Sequence, residues 1–181
     1  QMCIRDSKQH AGVKEILLSD VGYMQGMSGN GLTTEKGNEN SWIDISVMAV
    51  PANFFSFMNI PIEQGRLPQT EKDIVVDNVW QEMQKKNVIG MNLYSGNTDY
   101  TICGISAPFQ ANVYNRSSGY AFLPYDPSVY IGHCYIKSHP GQQKEVARWI
   151  EKVYREMLPE NITYQAKTFL DDIHILQALE Y

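Results

Sequence analysis

Apolar and polar positions alternate over residues 42–50, with Ile43, Ile45, Val47 and Ala49 on one side and Asp44 and Ser46 on the other. That period of two predicts a strand buried on one face. Pro51 follows and suits the first turn of a helix, because its missing N–H has no partner there anyway. Phe54, Phe55, Phe57 and Met58 anchor that helix, Asn59 ends it, and residues 60–66 return as an extended segment. The result is one strand–helix–strand unit. Before it lie a short strand, Val13–Ser19, and a glycine-rich stretch over residues 22–40 that reads as a long exposed loop.

After it the elements are shorter. Residues 73–76 form a strand, and Asp77 or Asn78 caps a helix over 79–86, with Gln81 placed for a capping box. Gly90 punctuates. Residues 91–95 and 100–106 flank Gly96-Asn97 and predict a β-hairpin. Residues 107–118 read as loop, and 119–123 as a strand ended by Pro124. The last third is the most regular. A strand at 131–137 precedes a helix opened by Pro140-Gly141 and running to about Leu158, with Val146, Ile150, Val153, Tyr154 and Met157 at helical spacing. Pro159 stops it. A strand at 162–167 and a final helix capped by Thr168 complete a second strand–helix–strand unit. The pattern predicts an α+β fold.

The chain has 181 residues and a net charge of −5, with its basic residues scattered. That balance argues against nucleic acid, which needs a concentrated positive surface. No stretch reaches the ~20 apolar residues of a membrane-spanning helix. The opening seven residues fit poorly with the rest of the chain and read as a non-native or truncated start, as far as residue 9. Cys3, Cys103 and Cys134 are too irregularly spaced for a zinc site. Cys103 and Cys134 could join as a disulfide in an oxidising compartment. Two small buried residues on neighbouring strands suit the pattern better.

A search for catalytic chemistry finds nothing. There is no Gly-x-Ser-x-Gly elbow and no phosphate-binding Gly-rich loop before Lys-Ser/Thr. His10, His133, His139 and His174 form no ligand pair, and His133 and Cys134 fall on opposite faces of one strand. Asp171-Asp172 is explained by helix capping. The expectation is therefore a non-enzyme with no cofactor and no metal. A hydrolase using Ser28 would need a histidine beside that hydroxyl.

Several phrases resemble the MacB-like periplasmic core domain of MacB/FtsX-type ABC transporter permeases. They are Val47-Met48-Ala49-Val50-Pro51-Ala52-Asn53-Phe54-Phe55, then Met58-Asn59-Ile60, Gln64-Gly65-Arg66, the run from Asp73 to Asn78, and Val88-Ile89-Gly90. The segment from Tyr100 to Ile105, Phe122-Leu123-Pro124, Tyr135-Ile136-Lys137 and Phe169-Leu170-Asp171-Asp172 continue the series in order. The resemblance implies a domain on the periplasmic side of a bacterial inner membrane protein, between two membrane helices. It assigns residues 10–70 and 128–170 to a porter-like lobe and 71–127 to an inserted, mainly β lobe. Residues 171–181 would lead toward a second membrane helix. Implied partners are an ABC ATPase subunit or domain, a second permease as homodimer or pair, and a periplasmic adaptor protein. Within this picture Phe54, Phe55, Trp149 and Ile150 are packing residues of a lever, and Met24, Met27, Tyr114 and Arg116 on the two long loops are the candidate cargo or partner contacts. Such a domain is expected to have at most a small pocket. A free-standing secreted or periplasmic α+β ligand-binding protein, the alternative, is expected to have a well-formed apolar one.

Overall fold

Val47 and its neighbour Met48 are both buried, at 6% and 0% exposure. Successive strand residues point to opposite faces, so their strand must be covered on both sides, not one. The computed structural model, which describes residues 10–19, 22, 31–109, 119–126 and 133–157, shows how. Its elements are β1 (Val13–Ser19), β2 (Ser46–Val50), α1 (Phe54–Met58), β3 (Ile62–Gly65), β4 (Asp73–Asp77), α2 (Asn78–Gln84), β5 (Asn92–Ser95), β6 (Thr98–Ser106), β7 (Tyr120–Pro124), β8 (His133–Ser138) and α3 (Gln143–Met157). The fold is α+β, as the pattern predicts.

Six strands make one mixed sheet in the order β2-β7-β4-β6-β3, with β5 also pairing to β6. β2 runs parallel to β7, and β4 runs parallel to β6 but antiparallel to β7. β3 and β5 pair antiparallel with β6. One face carries an aromatic cluster of Met48, Val50, Phe54, Phe55, Phe57, Val75, Tyr120 and Phe122. The other carries a mostly aliphatic cluster of Ile45, Val47, Ile74, Val76, Trp80, Leu93, Ile102, Ile105 and Ala121. Ile102 and Ile105 share a face despite their odd spacing, because the β4–β6 register shifts between Ile74 and Val75. An irregularity of that kind turns a strand's side chains over.

Local signals set most boundaries. Asp77 is the N-cap of α2, its side chain accepting from Trp80 N–H at 3.0 Å. Gln81 closes no capping box. Its amide instead donates to the Lys86 carbonyl at 2.7 Å and accepts from Val88 N–H at 3.3 Å, tying down the chain beyond the helix. α1 begins at Phe54 rather than Pro51, which accepts from Phe54 N–H at 3.0 Å in the preceding turn. Asn59 stops α1 in the left-handed conformation at φ 56°. Asparagine is tolerated there better than other side chains. The hairpin turns at Gly96-Asn97, as the pattern predicts.

The chain divides into two compact units, cut after Ile16 and after Tyr135. β2 and β3, from the first strand–helix–strand unit, hydrogen-bond to β7 and β6, so this unit is built into the same sheet as residues 73–124. β1 and β8 form a separate two-stranded sheet. In the smaller unit, Val146 and Ile150 of α3 are buried. Gly12 N–H donates to His10 Nδ1 at 3.0 Å, and His139 N–H donates to the Gly12 carbonyl at 2.9 Å. The His10 ring lies 5.0 Å from that of Trp149. The expected strand at 162–167 and the helix after Thr168 lie outside the described residues, as does the opening segment 1–9.

Candidate functional site

Gly65 and Gly104 let β3 and β6 approach more closely than any side chain permits. A Cβ on Gly65 would lie 2.3 Å from the Cys103 carbonyl oxygen, and one on Gly104 would lie 2.4 Å from that of Arg66. Gly65 also has φ +76°, a conformation natural to glycine. The close pairing places Arg66 at the start of a loop, where its N–H donates to the Cys103 carbonyl at 3.0 Å.

Asp73, the first residue of β4, fastens that loop. Arg66 donates to both of its carboxylate oxygens, Nη1 at 2.8 Å and Nη2 at 3.0 Å, and the backbone N–H groups of Gln69 and Thr70 add bonds of 2.9 and 3.0 Å. Two-pronged guanidinium–carboxylate pairs fix geometry as well as charge. The Arg66 guanidinium holds the Asp73 carboxyl far below the usual carboxylate range, with the two amides adding to the effect and burial opposing it. The pairing also raises the Arg66 pKa. Next to the loop, Lys72 Nζ reaches both oxygens of Asp99 at 3.1 Å, which lowers the Asp99 pKa.

A depressed carboxylate pKa stabilises the fold above the unfolded value and loses that contribution as pH falls through the folded one. Asp73→Asn is therefore expected to lower stability by about 2 kcal/mol at neutral pH, the scale of hydrogen bonds to a charged group. The gap to the parent should narrow as acid protonates Asp73. Urea unfolding at neutral pH and at successively lower pH checks both points, and a gap that stayed constant would refute the assignment.

The fastened loop walls a groove of 680 Å³ in the larger unit. Leu67 and Pro68 face it from the loop, with Val50 and Phe55, Tyr100, and Pro124 from the strand ends and α1. Leu67 is 45% exposed there, one of few large apolar side chains so placed among the described residues. The groove is larger than expected for a transporter domain. It arises because β2 and β7 end beside the turn leading into β4.

A second buried carboxylate has a structural role. Asp77 is fully buried, and burial raises its pKa against the backbone N–H groups of Trp80, Tyr120 and Phe109. Gly119 leaves it room, since a Cβ there would stand 2.7 Å from Asp77 Oδ1.

Of the residues singled out in the sequence, Met24, Met27, Ser28, Tyr114, Arg116 and His174 lie outside the described residues. Phe54, Phe55 and Ile150 are buried packing residues, and Trp149 is half-buried. No disulfide joins Cys103 and Cys134, and the second is exposed, so neither the disulfide nor the buried pair is found. They stand on β6 and β8, which belong to different sheets. Cys103 Sγ donates to the Arg66 carbonyl at 3.4 Å, and burial pushes its pKa up. Among the described residues there is no cluster able to hold a metal, and no helix is long and apolar enough to cross a membrane. Sequence reasoning missed the groove and its Arg66–Asp73 fastening. The available signal was an arginine directly after a glycine turn with an aspartate opening the next strand.

No protein-family model matches the chain, and no curated protein matches it in sequence. Solved structures do. The periplasmic region of MacB from Actinobacillus actinomycetemcomitans matches with a TM-score of 0.65 at 11% identity, over 99% of this chain and 81% of that one. The extracellular domain of the noncanonic ABC-type transporter YknZ from Gram-positive bacteria gives 0.60 at 12% identity, over 87% and 82%. A permease-protein domain from Porphyromonas gingivalis gives 0.60 at 13% identity, over 95% and 87%. The chain thus has the fold of the extracytoplasmic domains of ABC transporter permeases. Among those, its architecture is similar to that of the MacB periplasmic region across nearly its whole length.

Proposed function

We propose that this chain is the extracytoplasmic domain of a MacB/FtsX-type ABC transporter permease, on the periplasmic side of a bacterial inner membrane. The observation that carries the reading is the structural match over 99% of the chain to the periplasmic region of MacB. The ordered series of sequence phrases supports it independently. In this reading the domain catalyses nothing. It transmits motion driven by an ATPase subunit or domain across the membrane, within a permease homodimer or pair. Phe54 and Phe55, buried against the sheet of the larger unit, and Ile150, buried on α3 of the smaller one, would each stiffen the unit that holds them. Met24, Met27, Tyr114 and Arg116 would meet cargo or a periplasmic adaptor protein. Residues 10–70 and 128–170 would correspond to the family's porter lobe and 71–127 to its second lobe.

The groove favours a second reading, a free-standing secreted or periplasmic ligand-binding protein. Sequencing the gene on both sides of the stretch that encodes this chain separates the two. The permease reading expects an apolar stretch of ~20 residues shortly before Val13 and another soon after Tyr181. A signal peptide upstream and a stop codon directly after Tyr181 would overturn it in favour of the ligand-binding protein.

A further inference from the structure

Where the chain enters β1, one buried backbone N–H and one buried side-chain oxygen compete for the same histidine ring. Gly12 is buried, and its N–H donates to His10 Nδ1 at 3.0 Å. The turn that holds the two is closed by Val13 N–H, which donates to the His10 carbonyl at 2.9 Å. A ring nitrogen that accepts a hydrogen bond carries no proton, so the imidazole is neutral with its proton on Nε2. Nε2 lies 3.9 Å from Glu145 Oε1, in the first turn of α3. The ring also stands 5.0 Å from that of Trp149, one turn further along the same helix.

Against the same glycine lies Gln142, directly before α3. Its Oε1 is buried and has no hydrogen-bond partner. The missing side chain of Gly12 lets these groups meet. A Cβ there would stand 2.8 Å from Gln142 Oε1, 2.8 Å from Val146 Cγ2 and 3.0 Å from His10 Nδ1. A buried acceptor left unpaired is costly and calls for an explanation. His10 Nδ1 can serve only one of the two groups at a time. Neutral, it accepts from Gly12 and leaves Gln142 without a donor. Protonated, it can donate to Gln142 Oε1, and Gly12 N–H loses its acceptor. Among the described residues, Glu145 is the charged group that faces the ring, from its Nε2 side. His139, which follows β8, reaches the turn through its backbone, its N–H donating to the Gly12 carbonyl at 2.9 Å.

We propose that His10 is a proton-operated clasp between the turn entering β1 and the start of α3. Neutral, its Nδ1 holds Gly12 N–H. On protonation the ring gives up that amide and donates from Nδ1 to Gln142 Oε1, so one proton moves a hydrogen bond from the turn to the helix start. Histidine is the side chain whose ordinary titration lies in the physiological range. The inference goes beyond the permease reading and does not depend on it, since it concerns the smaller unit alone.

Amide hydrogen exchange and imidazole nitrogen shifts, both read by NMR on the 181-residue chain, test the clasp. In the parent the Gly12 amide should lose protection about tenfold between about pH 8 and about pH 5, after correction for intrinsic exchange, the scale of one hydrogen bond. The ring nitrogens should show a proton on Nε2 alone at the upper end and on both at the lower. His10→Asn keeps an oxygen able to accept from the N–H two residues on, and it does not titrate. Its Gly12 protection should stay constant over the same range. Gln142→Met removes the waiting acceptor at similar volume and should move the transition to lower pH. Protection of Gly12 that is independent of pH in the parent would overturn the proposal. So would an equal loss in His10→Asn, a neutral ring with its proton on Nδ1, or a transition unmoved in Gln142→Met. The ring nitrogens are read in the parent, so a substitution that unfolded the unit would leave that result to decide.

Discussion

Phe122→Ala is expected to destabilise the domain by about 4 kcal/mol, the usual cost of emptying a buried aromatic site. Phe122 is completely buried in the middle of β7. Its ring lies 5.5 Å from that of Phe54, 5.2 Å from Phe55 and 5.8 Å from Phe109. Deleting it removes the shared partner of three rings, and the surrounding backbone cannot collapse to fill the space. β7 is hydrogen-bonded on both sides, to β2 and to β4, with Phe122 opposite Met48 and Val75. In a chain of this length the change corresponds to a drop in Tm of roughly 10 °C. Phe122→Leu should recover much of the loss, because it keeps most of the apolar volume. Thermal and urea unfolding measure both variants. A loss below about 1 kcal/mol for the alanine variant, far under the usual range for such a truncation, would mean that this cluster is not the core.

Gly65→Ala comes second, at about 3 kcal/mol, the upper end of the cost of a strained backbone position. Two costs coincide at this residue. Its φ of +76° is strained for any residue with a side chain, and the added methyl would meet the Cys103 carbonyl oxygen at 2.3 Å and the Gly104 Cα at 2.9 Å. Both obstacles are backbone atoms inside the β3–β6 pairing, so neither can rotate away. Gly104→Ala meets the same seam from the other side, at the Arg66 carbonyl. If the two glycines serve one close approach, the double variant should lose less than the sum of the single losses. Strict additivity in a double-mutant unfolding cycle would show that the two contacts are independent.

The sequence carried the fold at the level of elements, and less reliably the partners of each strand. Val13–Ser19 was legible because seven residues rich in strand formers stand between turn-forming ones. The hairpin of β5 and β6 was legible because its pairing is local and Gly96-Asn97 marks the turn. The parallel match of Ser46 with Tyr120 was not. Nothing near either residue encodes a partner so far along the chain. The alternation in residues 42–50 pointed to a half-buried strand because it passed over Met48, an apolar residue on the supposed polar face. That residue was the sign that aromatic packing covers the second face.

Legibility of the site was poorer. Gln64-Gly65-Arg66 stood out as a phrase of the family resemblance, but not as one half of a fastening, because Asp73 acts through a two-pronged bond seven residues away. A groove is an absence of atoms between segments distant in sequence, and periodicity does not register it. Cys103 and Cys134 were placed on neighbouring strands because each lies in an apolar strand-like run. Sheet membership, which sequence spacing does not determine, separates them.

The order of strands in the sheet bears on how the chain reaches its fold. β7 sits between β2 and β4, yet β2 and β4 are both made well before it. A chain emerging from the ribosome must therefore keep two strands with uncovered edges and the apolar surface of α1 waiting for residues 120–124. Long-range parallel pairing of this kind also slows folding, because the loop is closed before its contacts are gained. A fragment truncated before Tyr120 would present the Phe54–Phe55 surface and two open strand edges together, a combination that favours aggregation over folding.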